Sequence, residues 1–258
     1  MIGQKKKSSR STLTSKWIKT NVLLKNPAIR KYIPDTRRFN AQNLKSMLNA
    51  YGMVYIKPER GTHGLGVIRA EVGIEAGKPY KYQFDTTTRT FSTLAAYYAS
   101  LKKAVGTRSY LIQKGIHLLK YNNRRFDIRI MVQLSPQGKW ETTGLIGRAA
   151  QEGKIVTNYH SGGRPMSVNV LLTPHVTGTR QTALIQELSR FGERIARAYQ
   201  STYPNFRQIG VDVGLDRSLT PWIIEVNTSP DPYIFNQLSD KTMYRKIMRY
   251  RRAQGIKK

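Results

Sequence analysis

Residues 209–227 read IGVDVGLDRSLTPWIIEVN, two apolar runs that flank a polar turn. Each run has the length and the β-branched content of a strand, so the segment is typical of a hairpin. If Asp216 and Pro221 close that hairpin, the pairing sets Asp212 opposite Glu225. Because strand side chains alternate with a period of two, both carboxylates then lie on one face of the sheet.

The same alternation adds an amide oxygen to this face, because Asn227 lies two residues beyond Glu225. Two carboxylates converging on an apolar sheet repel one another and lose hydration unless a cation compensates them. Oxygen ligands without His or Cys suit Mg²⁺, which we therefore predict here with Asp212, Glu225 and Asn227 as ligands. Pairing of these acids with some of the many arginines is the alternative.

A glycine-rich segment, VYIKPERGTHGLGV, covers residues 54–67. The three glycines Gly61, Gly64 and Gly66 let the backbone fold closely and aim N–H groups at an anion. No Walker motif or protein-kinase motif set accompanies them. Lys57 precedes the loop, in a position from which its ammonium would reach the phosphates of an anion bound by the loop. The alternative interpretation of the three glycines is an ordinary loose turn.

Charged residues also lie inside two other apolar strands, with Asp127 and Arg129 in one and Arg148 at the end of another. Arginines beside a phosphate site are typical of phosphoryl transfer. The alternative is structural: Arg129 neutralises Asp127, which shares its face, and Arg148 lies at the surface.

Strands and helices interleave along the chain, and most neighbouring strands are close enough to form hairpins. The sequence therefore predicts an α+β fold with antiparallel sheets. We expect a helix capped by Asn40 and stopped by Gly52, a second beginning at Ser92, a third over 180–200 and a basic helical tail after Asp240. Further strands are expected at 53–57, 67–70, 110–113, 127–134 and 142–146.

The chain has 258 residues, no cysteine and a formal charge of +29. The absence of cysteine excludes disulfides, thiolate nucleophiles and Cys-ligated zinc. The sequence has neither a bilayer-spanning apolar run nor the apolar stretch of a signal peptide, so we expect a cytoplasmic protein. The charge favours a polyanionic partner, with a merely solubilising basic surface as the alternative.

Taken in order, these segments resemble the ATP-grasp superfamily, specifically its YheC/YheD family of endospore coat-associated proteins. The resemblance spans residues 15–17, 32–36, 55–67, 110–116, 126–133, 144–148, 157–163 and 209–230. It implies two α+β lobes whose antiparallel sheets grip a nucleotide. After a basic mobile segment, 1–15, the N-terminal lobe would cover about 16–112 and the C-terminal lobe 113–258.

The resemblance also implies roles for individual residues. Lys57 and Lys16 would contact the nucleotide phosphates. The adenine edge would be read by the backbone of Gln113, Lys114, Gly115 and Ile116. Asp212, Glu225 and Asn227 would bind Mg²⁺, as two ions for which Mn²⁺ can substitute. Arg129 and Arg148 would act at the terminal phosphate, and the second substrate would meet Asn158, Gly162 and Gly163.

The activity that the resemblance implies is ATP-dependent ligation of a carboxylate to an amine through an acyl-phosphate. An acidic peptide or polymer is the expected substrate class, in a spore-coat context within an endospore-forming bacterium. The alternatives are an inactive ATP-grasp scaffold and a basic module that binds polyanions or, non-specifically, nucleic acid. One departure is that residues 117–125 lack the acid with which many ATP-grasp enzymes bind the ribose.

Overall fold

The N-terminal lobe is built on a six-stranded sheet, seen in the computed structural model, which describes residues 13–75 and 77–256. Its strands are β1 Thr36–Arg38, β2 Met53–Pro58, β3 Ile68–Glu75, β4 Lys78–Phe84, β5 Thr87–Phe91 and β6 Tyr110–Lys114. They are ordered β1-β6-β2-β3-β4-β5, and all neighbours are antiparallel.

A second antiparallel sheet forms the C-terminal lobe. Its strands are β7 Lys120–Tyr121, β8 Arg124–Leu134, β9 Trp140–Ala149, β10 Arg164–Met166, β11 Gln208–Leu215 and β12 Pro221–Asn227. Five of them are ordered β10-β9-β8-β11-β12, and the short β7 pairs with β8. The predicted α+β class with antiparallel sheets is confirmed.

Seven α-helices lie within the described residues. They are α1 Lys16–Leu24, α2 Pro27–Arg30, α3 Ala41–Tyr51, α4 Leu94–Val105, α5 Val168–Leu172, α6 Gly178–Thr202 and α7 Thr242–Ala253. Asn40 caps α3 through its side chain, and Gly52 ends the helix at a φ of 68°, as predicted. The predicted start of α4 at Ser92 was two residues early, because the helix begins at Leu94 and is capped by Thr93. No helix in these ranges is long and apolar enough to span a membrane.

The predicted hairpin is formed by β11 and β12. Asp212 pairs with Glu225 in the register, and a bulge follows between Asp212 and Val213. The hairpin turn is fixed by Asp216, whose carboxylate accepts hydrogen bonds from the backbone N–H groups of Ser218 and Thr220.

Each face of the C-terminal sheet has a different covering. Phe126, Ile128, Ile130 and Val132 alternate along β8 into the main core, against α6 and α1. The intervening residues point to the other face, where Met131 packs against α7. Asp127 and Arg129 of β8 share this second face with Met131, so the fold separates these two charged residues from the apolar core.

The helices α1 and α2 lie within residues 16–112, where the N-terminal lobe was expected, but both pack into the C-terminal core. Residues 1–12 of the predicted mobile segment lie outside the described part of the chain. Ser15 is buried, caps α1 and donates a hydrogen bond to Glu59 at 2.6 Å. The folded unit therefore includes Ser15.

Candidate functional site

A cleft between the two lobes encloses about 890 Å³ of empty space, part of it open to solvent. Eleven of the predicted site residues line it, namely Lys16, Lys57, Gly61, Gly64, Gln113, Lys114, Ile116, Arg148, Asn158, Asp212 and Glu225. Segments far apart in the chain thus meet at one cavity.

The remaining predicted residues do not line the cleft but support those that do. Arg129 and Asn227 both donate hydrogen bonds to Asp212. Gly66, Gly115, Gly162 and Gly163 stand where the backbone passes close to other atoms, so that a side chain would collide with them.

Lys57 connects the lobes from the end of β2. Its ammonium donates to Gln113 Oε1 at 2.7 Å and to the backbone carbonyl of Ile224, on β12, at 3.1 Å. The pKa of Lys57 is lowered to about 8, mainly by burial; Glu225 opposes this shift, and Lys16 and Lys19 contribute to it. A cation so poorly solvated gains strongly from an anionic ligand in the cleft.

Two lysines of α1 converge on Glu225. Lys19 Nζ lies 3.2 Å and Lys16 Nζ 3.6 Å from Glu225 Oε1. Lys16 also donates to the carbonyl of Gly61 at 2.7 Å, and burial lowers its pKa. Sequence reasoning missed Lys19, although its spacing of three from Lys16 puts both on one face of a helix.

Four buried charges form a network across β9, β8 and β11. Asp127 pairs with Arg148 in the strand register and Asp212 with Arg129. Arg148 Nε donates to Asp127 Oδ1 at 2.8 Å, and Arg148 Nη2 lies 3.0 Å from Asp212 Oδ2. Arg129 Nη2 donates to Asp212 Oδ2 at 3.1 Å.

This network contradicts both structural alternatives for the arginines. Arg129 does not pair with Asp127, because each finds its partner on a different adjacent strand, and Arg148 is buried instead of lying at the surface. Burial alone would raise the pKa of Asp212, but Arg129 and Arg148 hold it at about 2. The sequence allowed the predicted carboxylates to pair with arginines as an alternative to binding a metal. Asp212 does pair with arginines.

The glycine loop touches the C-terminal lobe. Gly61, Gly64 and Gly66 all have positive φ, and a Cβ on Gly64 would lie 2.5 Å from Asn158 Oδ1. Ser161 donates to the carbonyl of His63 at 2.6 Å, which ties the loop to residues 158–163. The loop therefore has a defined conformation, held by contacts with the C-terminal lobe, and forms one wall of the cleft instead of a loose turn.

Comparison with known proteins agrees with this geometry. The sequence model of the YheC/D like ATP-grasp family matches residues 6–252. The chain belongs to that family. It is 25% identical over 230 residues to the endospore coat-associated protein YheD of Bacillus subtilis (strain 168), covering 87% of this chain and 50% of the relative. To YheC of the same organism it is 23% identical over 220 residues, covering 84% of this chain and 60% of the relative.

The fold is also shared with a solved ATP-grasp structure, the N5-carboxyaminoimidazole synthase of Aspergillus clavatus in complex with ADP and 5-aminoimidazole ribonucleotide. The TM-score is 0.54 at 10% identity, with 93% of this chain and 51% of the other covered. The chain spans about half to three fifths of the length of its curated relatives.

The expected hinge of this ATP-grasp protein, residues 113–116, has few free donors for adenine. The Lys114 N–H donates to the Asp35 carbonyl at 2.8 Å and the Gly115 N–H to the Met53 carbonyl at 2.9 Å. Ile116 lies on the cleft wall, so its N–H is the candidate for reading the adenine edge.

The donor set at the ATP-grasp cleft fits a hard cation. Within the described ranges, no three His, Cys, Asp or Glu side chains are grouped to hold a metal by themselves. Asn227 Nδ2 donates to Asp212 Oδ2 at 3.3 Å, however, so its amide oxygen is the atom of Asn227 that a cation beside Asp212 and Glu225 would meet. The Glu225 side chain is 22% exposed and Asp212 only 4%, so Glu225 is the accessible carboxylate.

Proposed function

We propose that this ATP-grasp protein is an ATP-dependent ligase that joins a carboxylate to an amine through an acyl-phosphate. The observation that supports this most is the meeting of Lys57, from the N-terminal sheet, with the Glu225 strand and the buried Arg148 of the C-terminal sheet at one cleft. Phosphate-binding cations and carboxylates from separate lobes are what phosphoryl transfer requires.

In this proposal, the chain's own residues hold ATP at both ends. Ile116 contacts the adenine edge, and the glycine loop closes over the phosphates. Lys57 and Lys16 neutralise the phosphate oxygens, and their low pKa values make them responsive to an arriving anion. Because the described residues 117–125 contain no acid, the ribose hydroxyls are left to other groups.

The reaction has two steps. A carboxylate oxygen of the substrate attacks the γ-phosphorus of ATP, the bond to the β–γ bridging oxygen breaks, and ADP leaves. The amine nitrogen then attacks the acyl carbon, the bond to the phosphate oxygen breaks, and the amine loses its proton as phosphate leaves. In this proposal Arg148, whose guanidinium is held by Asp127 and Asp212, meets the charge on the transferred phosphoryl group.

Mg²⁺, as one or two ions, would be held by Glu225, Asn227 and Asp212, and Mn²⁺ has the same preference for oxygen ligands. When bound, such an ion neutralises phosphate charge. Lys16 and Lys19 compete for Glu225, so they set how strongly that carboxylate binds a cation.

A second candidate is a nucleotide-binding scaffold without turnover. It is favoured by one observation, that both oxygens of Asp212 already bind arginine side chains. A carboxylate neutralised in this way is a weak metal ligand, and weak metal binding would permit ATP binding without transfer. Because the relatives YheD and YheC are endospore coat-associated proteins, both candidates extend to a role associated with the endospore coat.

The test is ADP and phosphate release with Mg²⁺ across a panel of amino acids, acidic peptides and poly-L-glutamate, each with an amine donor. We expect substrate-dependent ADP release, reduced ~10²-fold or more by Lys57→Ala or Glu225→Ala. The matched controls are Lys102→Ala and Glu187→Ala, at exposed helix positions away from the cleft. If the Lys57→Ala and Glu225→Ala proteins fold and their turnover is unchanged, the ligase proposal is overturned. If the protein binds ATP but releases no ADP with any substrate of the panel, the scaffold without turnover is favoured.

A further inference from the structure

The last helix, α7, presents a row of positive charge. Residues 242–253 contain five Lys or Arg and no acid. Ile247, Tyr250 and Arg251 are buried, whereas Arg245, Arg249 and Arg252 are exposed. Their spacing of four and three places these three guanidinium groups on one helical face, over a length of ~10 Å. Among the described residues, no carboxylate lies within 4.0 Å of them as an ion pair.

The position of α7 is fixed relative to the cleft, because the helix packs on the sheet face that carries the buried charges. Ile247 packs in one cluster with Met131, which is two residues from Arg129 on the same face of β8. Arg251 Nη1 donates to Gln208 Oε1 at 3.2 Å, and Gln208 begins the strand that holds Asp212. Four residues of strand correspond to ~13 Å.

A continuous line of contacts leads from α7 to the mouth of the cleft. The Tyr244 and Tyr233 rings are 6.3 Å apart, and the Tyr233 N–H donates to Asp231 at 2.8 Å. Asp231 lies 4.0 Å from His160, which adjoins the Tyr159 ring at 5.7 Å. Tyr159 follows Asn158 on the cleft wall and is 38% exposed; Tyr233 is 42% exposed. Exposed aromatic rings of this kind are typical of contact surfaces.

We infer that Arg245, Arg249 and Arg252 form a docking surface for an acidic polypeptide that runs over Tyr233 and Tyr159 toward the cleft. Guanidinium groups bind carboxylates in a two-pronged geometry, so a row of them complements Glu- or Asp-rich chain. The docking surface itself does not depend on the proposed ligase function. The inference rests on that function only where it makes a carboxylate of the bound polypeptide the substrate.

The line of contacts favours polypeptide over nucleic acid. The carboxylate of Asp231 lies between the arginine row and the cleft. A nucleic acid carries its charge on the backbone itself and would meet repulsion there, whereas a polypeptide carries its charge on flexible side chains that can turn away from Asp231. The row also leads to a cleft whose proposed chemistry consumes a carboxylate.

The experiment compares two triple charge reversals in the full chain. One is Arg245→Glu/Arg249→Glu/Arg252→Glu on α7. The matched control is Arg180→Glu/Arg190→Glu/Arg197→Glu, at exposed positions of α6, which covers the opposite face of the sheet. The probe is a fluorescein-labelled poly-L-glutamate, titrated by fluorescence anisotropy without ATP at physiological salt. We expect the α7 variant to lose ~10-fold or more in affinity and the control a few-fold at most.

Equal losses in the two variants would overturn the inference, because net charge alone would then explain binding. It would also be overturned if a single-stranded oligonucleotide bound more tightly than poly-L-glutamate and lost that binding in the α7 variant. If the α7 reversal fails to fold, Arg→Gln at the same three positions provides the comparison. Because the assay omits ATP, a selective loss supports the surface even where no substrate gives ADP release, which would count against the ligase alone.

Discussion

At the scale of single residues, Lys57 has the property most open to measurement. Its pKa of about 8 means that the ammonium is charged at neutral pH and loses its proton as the pH rises through 8. An ATP phosphate in contact with it favours the charged form, so binding above pH 8 must take up a proton. We therefore expect ATP affinity to fall above pH 8, by up to ~10-fold per pH unit.

Calorimetry in two buffers of different ionisation enthalpy checks this, since proton uptake makes the apparent binding enthalpy depend on the buffer. The control is Lys57→Arg, whose guanidinium stays charged throughout and removes the dependence. An ATP affinity that is constant between neutral pH and pH 9 in the wild type would contradict a phosphate contact by Lys57.

The sequence indicated which individual residues carry chemistry better than it indicated their partners. Asp212, Glu225 and Lys57 were conspicuous because charged residues inside apolar strands are rare. The pairing of Asp127 with Arg148, and of Arg129 with Asp212, depends on β8 lying between β9 and β11. That order is a long-range property, which local alternation does not contain.

At the scale of elements, the same limit explains which pieces were predictable. The β11–β12 hairpin and α3 were predicted because their alternation, caps and turn residues are local signals. The helix α1 was missed because its buried face includes Lys16 and Lys19. Lysines are usually solvent-exposed, so the sequence shows no apolar helical face there. The β4–β5 hairpin was missed because β5 is an exposed edge strand, Thr-rich and with little apolar alternation.

The glycine loop gives an element-scale prediction about shape. Ala at Gly64 must adopt a φ of 75° and place its Cβ against Asn158, whereas Ala at Gly73 meets the same backbone strain at a φ of 77° in open space. Both substitutions should destabilise the protein by about 1 kcal/mol through backbone strain. Only Gly64→Ala should weaken ATP binding, since it also displaces the loop from residues 158–163.

Thermal midpoints and nucleotide titrations on the same two proteins separate these effects. A similar loss of ATP affinity in Gly64→Ala and Gly73→Ala would mean that strain in the lobe, and not the close approach to Asn158, is responsible.

At the scale of the whole molecule, the formal charge of +29 is the dominant feature. Only a minority of its 44 Lys and Arg can pair with 15 acids, and several of those acids are committed to the cleft. The surplus has two opposite consequences for salt dependence. The surplus attracts acidic partners, and added salt weakens this binding. The surplus also makes the positive charges of the folded chain repel one another, and added salt reduces this repulsion.

We therefore expect the thermal midpoint of the free protein to rise by roughly a few degrees between low salt and ~0.5 M NaCl, while poly-L-glutamate binding weakens over the same range. Three Arg→Glu changes remove six charges, so either triple variant has a formal charge of +23 and should show a smaller rise. The rise should shrink equally in the α6 and α7 variants, because self-repulsion depends on total charge, whereas only the α7 variant should lose the docking of poly-L-glutamate. A midpoint that falls steadily with salt would mean that exposed ion pairs outweigh the repulsion, and would contradict this account of the basic surface.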